Sequence, residues 1–371
     1  MRKVLFISHS RGIHGAEMVM LRAIRACVEA GARVTVVVPS VVDDEGLEDT
    51  LGRIAGVEVM RMPYRAGGAS GLRTRIVQIY NIPTLCRLAQ YVRKAHIDTI
   101  YSNTTVTILG ASLARVCGVK HVWHWHEPVD MQFGWNASMA SVYRPLAVRA
   151  DQIVCISRQQ KEEWEKELGM RLENAQIIYN PIKRIVPISS GVIEKRKDVR
   201  IGFIGHFEAR KNIELLIRVF ERIHMRKRET RLMLCGAIGE KDRQFVESLT
   251  ALREPEVCVL PQTSEVEKFY GAIDILVLPS WRETMPLVVL EAMQAGVCVL
   301  QTNRSGMNEL LEDGQDSLFF SPENADEFED LLSRCMDESY RRKIATTGQK
   351  KALQLVNNQQ FDKQIQSLLC E

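Results

Sequence analysis

Short, unbroken apolar runs at regular intervals constrain this chain more than any other feature. Residues 4–8 and 34–38 are the first two, and others follow at 57–60, 99–101, 121–125 and 152–156. A strand apolar on both faces belongs in a parallel sheet covered by helices on both sides. The intervening segments read as those helices. Residues 16–30 carry Met18, Leu21, Ile24, Ala26 and Val28 near helical spacing, and Gly31 can take the left-handed geometry that stops a helix. The rhythm breaks over residues 181–199, where Pro181, Pro187, Ser189, Ser190, Gly191 and the charged run 194–198 have the composition of a linker. It then restarts: 201–204, 232–234, 257–260, 275–278 and 297–300 read as strands, 212–225 as a helix, and everything from Asp326 onward as helical. Right-handed crossovers make each half a doubly wound sheet. The expected class is α/β, with Rossmann-like domains at 1–180 and 200–355 facing across a cleft. The linker 181–199 joins them, and a C-terminal helix, 356–371, packs back on the first domain.

Composition narrows the classes of function. A chain of 371 residues is long enough for two domains. With 46% apolar and 26% charged residues it has the surface needed to offset chain entropy, which excludes a mainly disordered protein. Lys+Arg 49 against Asp+Glu 46 leaves +3, too balanced for a dedicated nucleic-acid binder. No apolar run reaches the roughly 18 residues a spanning helix needs. His9, Ser10 and Arg11 close the first run too early for a signal core. Nine cysteines, an odd number without a C-x-x-C pair, point to a reducing cytosol rather than to disulfides or zinc. Sequons such as those at Asn103 and Asn136 would then go unused.

The densest signal runs from Pro279 to Gly296. A buried strand ends at Pro279, and Pro286 suits the first position of a helix. Glu283 thus falls in a strand-to-helix loop at the carboxyl edge of the sheet, and Glu291 about one and a half turns into the helix. A helix N-terminus offers N–H groups and partial positive charge to an anion such as a diphosphate. A carboxylate only accepts hydrogen bonds, so Glu291 can take both hydroxyls of a ribose. The alternative, a solvated glutamate on an ordinary helix, suits Glu291 poorly, because Val288, Leu290, Ala292 and Met293 leave it little open face.

Glu283 to Glu291 resembles the E-x7-E motif of retaining GT-B glycosyltransferases of the family 4 type, which use nucleotide sugars. The stretches 292–300 and 306–314 are similar to that family's pattern, and the likeness covers most of the chain. The resemblance implies that Glu283 meets the donor sugar and first phosphate and that Glu291 holds the ribose. It also implies that backbone amides at Thr284, Met285, Pro286 and Leu287 meet the diphosphate. In the loop 205–212 the family supplies an Arg and, five residues later, a Lys that neutralise the leaving diphosphate. Lys211 matches the Lys, while His206 stands where the Arg belongs. A histidine carries at most one charge and lacks the bidentate fork. Arg210 is adjacent, with its side chain expected to point elsewhere in the turn. Lys211 as a plain solvated lysine remains the other reading.

Gly12 and Gly15 lie after a strand and before a helix, where glycine permits close backbone approach to a ligand. They resemble the family's first loop, facing donor phosphates and acceptor. In 121–128, His124 and His126 share one strand face and Trp123 and Trp125 the other. His126, at the carboxyl end, corresponds to the family's His beneath the donor sugar. His124 reads better as a buried, hydrogen-bonded histidine. Ser102, Asn103 and Thr104 are candidates for lining the acceptor side. No D-x-D triplet occurs, so no metal and no cofactor beyond the nucleotide-sugar co-substrate is expected.

Residues 65–94 are locally basic, with Arg65, Arg73, Arg75, Arg87, Arg93 and Lys94, and Ile76, Ile79, Leu85, Leu88 and Tyr91 fall among them at near-helical spacing. Such a segment either lies on an anionic membrane or is an ordinary solvated helix face. Together these readings give a retaining, metal-independent transferase. It would move a hexosyl group from a UDP- or GDP-sugar to a saccharide or lipid-linked acceptor, in the cytoplasm or on the inner membrane face, for polysaccharide or glycolipid synthesis. A sugar-nucleotide binder without turnover and a sugar-nucleotide epimerase are the alternatives.

Overall fold

The computed structural model describes residues 1–41, 45–67, 71–128, 137–185, 197–239, 243–244, 247, 256–356 and 358–371. Asn136 and most of the linker expectation, including Gly191, lie outside them. The chain forms two compact units, Met1–Pro181 together with Asn358–Glu371, and Ile182–Asn357.

The first unit runs β1 (Lys3–Ile7), α1 (Gly15–Glu29), β2 (Arg33–Pro39), α2 (Leu47–Gly52), β3 (Val57–Met62), α3 (Gly71–Ala95), β4 (Thr99–Asn103), α4 (Leu109–Cys117), β5 (Lys120–Trp125), α5 (Ala137–Ala147), β6 (Gln152–Cys155), α6 (Arg158–Leu168) and β7 (Ala175–Ile177). Its seven strands pair in parallel in the order β3-β2-β1-β4-β5-β6-β7. Val4, Phe6, Val34, Val36, Val122 and Val154 are fully buried. Such runs stay ordered only when both faces of the sheet are covered.

The second unit runs β8 (Val199–Ile204), α7 (Ile213–Arg226), β9 (Thr230–Gly236), β10 (Val257–Pro261), α8 (Val266–Ala272), β11 (Ile275–Leu278), α9 (Leu287–Gln294), β12 (Cys298–Thr302), β13 (Leu318–Phe320), α10 (Ala325–Arg334) and α11 (Glu338–Leu355). The parallel order is β10-β9-β8-β11-β12-β13. In both sheets the order reverses once, between β1 and β4 and between β8 and β11. Loops leaving neighbouring strands diverge there and leave room at the carboxyl edge.

The doubly wound α/β reading holds, with corrections of detail. The strands β7 and β13 are additional to the sequence expectation, because three residues carry too little pattern to separate from a loop. Met18 is half exposed on α1 instead of facing the core. In place of a helix beginning at Asn212, a 3-10 turn spans Ala209–Lys211 and α7 starts at Ile213, because Asn212 sits at φ 52°, a left-handed position that asparagine tolerates. Pro286 caps α9 from outside instead of opening it. Ile76 and Ile79 point to solvent while Leu88 is buried, so the apolar residues of α3 do not share one face. Asn103 is fully buried at the end of β4, out of reach of any glycan-transferring enzyme in the folded state.

The last helix, α12 (Asn358–Cys370), belongs to the first unit. Phe361, Ile365 and Leu369 recur every four residues and enter the core shared with Met20, Ile24 and Cys27 of α1. An Arg22–Asp362 ion pair and a bond from Gln366 Nε2 to the Ala26 carbonyl (2.9 Å) flank them. Phe361→Ala should cost about 3–5 kcal/mol of stability by urea unfolding, while Leu353→Ala, half exposed on α11, should stay within about 0.5 kcal/mol.

Candidate functional site

In the second unit the loops after β8 and β11 flank the point where strand order reverses. The first must pass close to β9: a Cβ on Gly236 would sit 1.8 Å from the Gly205 carbonyl oxygen, so only glycine fits. It then bonds Phe207 N–H to Ala237 O and tightens into the Ala209–Lys211 turn. The second loop is pinned to the first by Trp281 N–H donating to Arg210 O at 2.9 Å. It is pinned to the loop after β12 by Glu283 N–H to Arg304 O (2.9 Å) and Gly306 N–H to Glu283 O (3.1 Å).

These ties bring three charged side chains together. Lys211 Nζ lies 2.5 Å from Glu283 Oε1, which also accepts from Ser280 Oγ at 2.6 Å. Arg210 Nη1 lies 3.7 Å from the other oxygen, Oε2, while its Nε donates to Glu208 at 2.8 Å. Arg210 therefore does not point elsewhere, because the Trp281 bond draws its turn against the Glu283 loop. Glu283 is only 7% exposed. Burial by itself would raise its pKa, but Lys211 and Arg210 outweigh that and hold it below the usual carboxylate range. The cluster therefore stays ionised, with Lys211 and Arg210 against Glu283 and Arg210 also against Glu208 in charge-assisted contacts.

Thr284, Met285, Pro286 and Leu287 connect this cluster to α9. Pro286 has no N–H and gives no donor to a phosphate. One turn into α9, Glu291 accepts from Tyr270 Oη at 2.8 Å, and burial raises its pKa. Nearby, Lys183 pairs with Glu267 at 2.7 Å. His206 is exposed on the loop after β8. The sequence reading gave no role to Ser280 and Tyr270. Ser280 lies in the Pro279–Gly296 segment without a motif position of its own, and Tyr270 carries no pattern that ties it to Glu291.

In the first unit, Gly12 N–H donates to Ser10 Oγ at 2.9 Å, and Gly15 opens α1 with nothing within 4 Å of where a Cβ would stand. That space permits the approach of a ligand backbone or phosphate, although no protein contact demands glycine at 15. His126 follows β5, half-buried, with Nε2 3.1 Å from Asn103 Oδ1 and its ring 4.1 Å from that of His124. The tryptophans take the opposite face, where Trp123 stacks on Tyr143. Burial lowers His126 to about 4, so the ring is neutral near pH 7. His124 is fully buried and bonded to Tyr101 Oη at 2.5 Å.

A family model described as Glycosyltransferase Family 4 matches residues 13–184, and one described as Glycosyl transferases group 1 matches residues 189–351. An uncharacterized glycosyltransferase of Haemophilus influenzae is 26% identical over 245 residues, covering 65% of this chain and 67% of that one. The Escherichia coli UDP-Gal:alpha-D-GlcNAc-diphosphoundecaprenol alpha-1,3-galactosyltransferase is 24% identical over 293 residues, 71% of this chain and 76% of that one. The crystal structure of Anabaena HepE with UDP and glucose superposes with a TM-score of 0.81 over 100% of both chains at 20% identity, a likeness of fold.

Breaking the buried pair gives a signed prediction. Lys211→Met strands the Glu283 charge with Arg210 alone and should cost about 3 kcal/mol at pH 7. Because the folded pKa of Glu283 lies below its unfolded value, the pair's contribution is complete above the ordinary carboxylate range and fades as pH falls through the folded value. Urea midpoints of wild type and variant should therefore converge in acid.

Proposed function

Since this chain belongs to the glycosyltransferases of GT-B fold, of the family 4 type, we propose that it is a retaining, metal-independent hexosyltransferase. It would take a UDP- or GDP-sugar as donor and a saccharide or lipid-linked hydroxyl as acceptor. The observation that carries this reading is the preformed Lys211–Glu283–Arg210 cluster beside the N-terminus of α9. A leaving diphosphate would draw Lys211 and Arg210 as counter-charges, with amides of 284, 285 and 287 on its other side. The bond from sugar C1 to the phosphate oxygen breaks with its electron pair going to the diphosphate. The acceptor oxygen bonds C1 on the same face, and its proton passes to the departing phosphate. Groups fixed beforehand around that developing charge are the usual large term in such catalysis. His126 would lie against the donor sugar, and Gly12 and Gly15 beside its phosphates. Glu291, with Tyr270 on Oε2, would use its remaining acceptor capacity on the ribose hydroxyls.

The exposed His206 favours one competing reading, a binder without turnover; Arg210 reaching Glu283 argues against it by restoring a second cation. Incubation with UDP- and GDP-sugars separates the readings. Slow nucleotide release supports the transferase, tight binding without turnover the binder, and a new sugar nucleotide without acceptor the epimerase.

A lipid-linked acceptor would come from a membrane. The Escherichia coli relative acts on a diphosphoundecaprenol-linked sugar. Among the described residues no helix is long and apolar enough to cross a bilayer. The helix α3 instead exposes Leu72, Ile76, Ile79, Tyr80 and Ile82, and its 25 residues hold five cations and no acid. An anionic cytoplasmic leaflet fits that face; the flanking 68–70 lie outside the described residues. Ile76→Ser with Ile79→Ser should weaken binding to phosphatidylglycerol vesicles about ten-fold in a flotation assay, with phosphatidylcholine vesicles bound poorly by both proteins.

Glu291→Ala should weaken nucleotide binding by calorimetry, and an unchanged dissociation constant would remove Glu291 from the site. Because burial raises its pKa, wild-type affinity should begin to fall at a higher pH than an ordinary carboxylate allows, as the protonated acid loses acceptor capacity.

A further inference from the structure

The first unit buries a carboxylate that the reading above leaves unused. Glu17, in the first turn of α1, is fully buried. No lysine or arginine pairs with it among the described residues; His9 Nδ1 approaches its Oε1 to 3.1 Å, close enough for an ion pair. Burial by itself would raise its pKa, but His9 outweighs this and holds the group ionised. Its Oε2 has no hydrogen-bond partner among the described residues. A carboxylate so placed is costly unless it is paired and hydrogen-bonded. Its second partner is Asn103, whose Nδ2 donates to Glu17 Oε1 at 3.4 Å. The opposite setting of that amide would put two oxygens face to face.

The orientation of Asn103 settles the next contact. With its NH2 turned to Glu17, its carbonyl Oδ1 faces His126 Nε2 at 3.1 Å. An amide oxygen only accepts, so Nε2 must carry the hydrogen. A neutral imidazole has one such hydrogen, which leaves Nδ1 with a lone pair. We propose that Glu17 and Asn103 are positioning residues that hold His126 in its Nε2–H tautomer, making Nδ1 an obligatory hydrogen-bond acceptor at the carboxyl end of β5. The tautomer follows from contacts within the first unit. Only its use, accepting a donor-sugar hydroxyl, rests on the transferase reading. A ring in the other tautomer would offer that hydroxyl an N–H in place of a lone pair.

The test is the ring nitrogen spectrum of the full chain labelled with 15N-histidine, with His126 assigned by its loss in His126→Gln. Wild type should show a protonated Nε2 and a bare Nδ1 at neutral pH; the reverse pattern overturns the proposal. Glu17→Gln frees the Asn103 amide to rotate, and Asn103→Ala removes the acceptor. Each should convert His126 to a mixture of tautomers, and kcat/KM for the donor should fall roughly ten-fold, the size of one neutral hydrogen bond. A pure Nε2–H pattern in both variants, whatever their melting temperatures, would show that the pair only packs. A reversed wild-type pattern overturns the proposal even if a variant fails to fold. Inactivity of every variant and of wild type on all nucleotide sugars would sink the transferase reading while leaving the tautomer result standing.

Discussion

The arrangement of this protein follows from one constraint, the single reversal of strand order in each parallel sheet. All strands of a sheet point the same way, so every strand-to-helix loop emerges on one edge. Adjacent loops part only where the order reverses. In the second unit β8 and β11 meet at that place, and their loops carry Lys211 and Glu283. In the first unit β1 and β4 meet there, and Glu17 and Asn103 flank the gap. Two unrelated sets of side chains thus occupy the same position in two copies of one topology.

The two clusters use buried charge differently. Glu283 sits between two cations and a serine hydroxyl, so its ionised form is stabilised several times over. Glu17 has a histidine and an amide and, among the described residues, one oxygen without a hydrogen-bond partner. The first arrangement holds two cations in place against Glu283, with Glu208 on the far side of Arg210. The second fixes hydrogen positions on a neutral ring. An arginine beside Glu17 would neutralise it but would compete with Asn103 for the oxygen that sets the amide.

The sheets were legible because parallel strands must be apolar on both faces, and such runs stand out from helical spacing. Strands of three residues at the sheet edges carry too little pattern, which is why β7 and β13 escaped. Glu283, Glu291 and Lys211 were legible as types in a fitting order. Their geometry was not, because it depends on bonds such as Trp281 N–H to Arg210 O that join backbone to backbone and leave no trace in residue identity. The expected direction of the Arg210 side chain failed for that reason. Glu17 and Asn103 lie 86 residues apart, and no local spacing announces such a contact.

The return of α12 to the first unit bears on synthesis. A ribosome emits β1 to β7 long before Phe361, Ile365 and Leu369, which complete the core against α1. Until then that groove faces water, and the whole intervening Rossmann-like body has time to fold inside the interruption. The nascent chain therefore closes its earlier half last, and a holding chaperone has an apolar cleft on α1 to occupy in the interval.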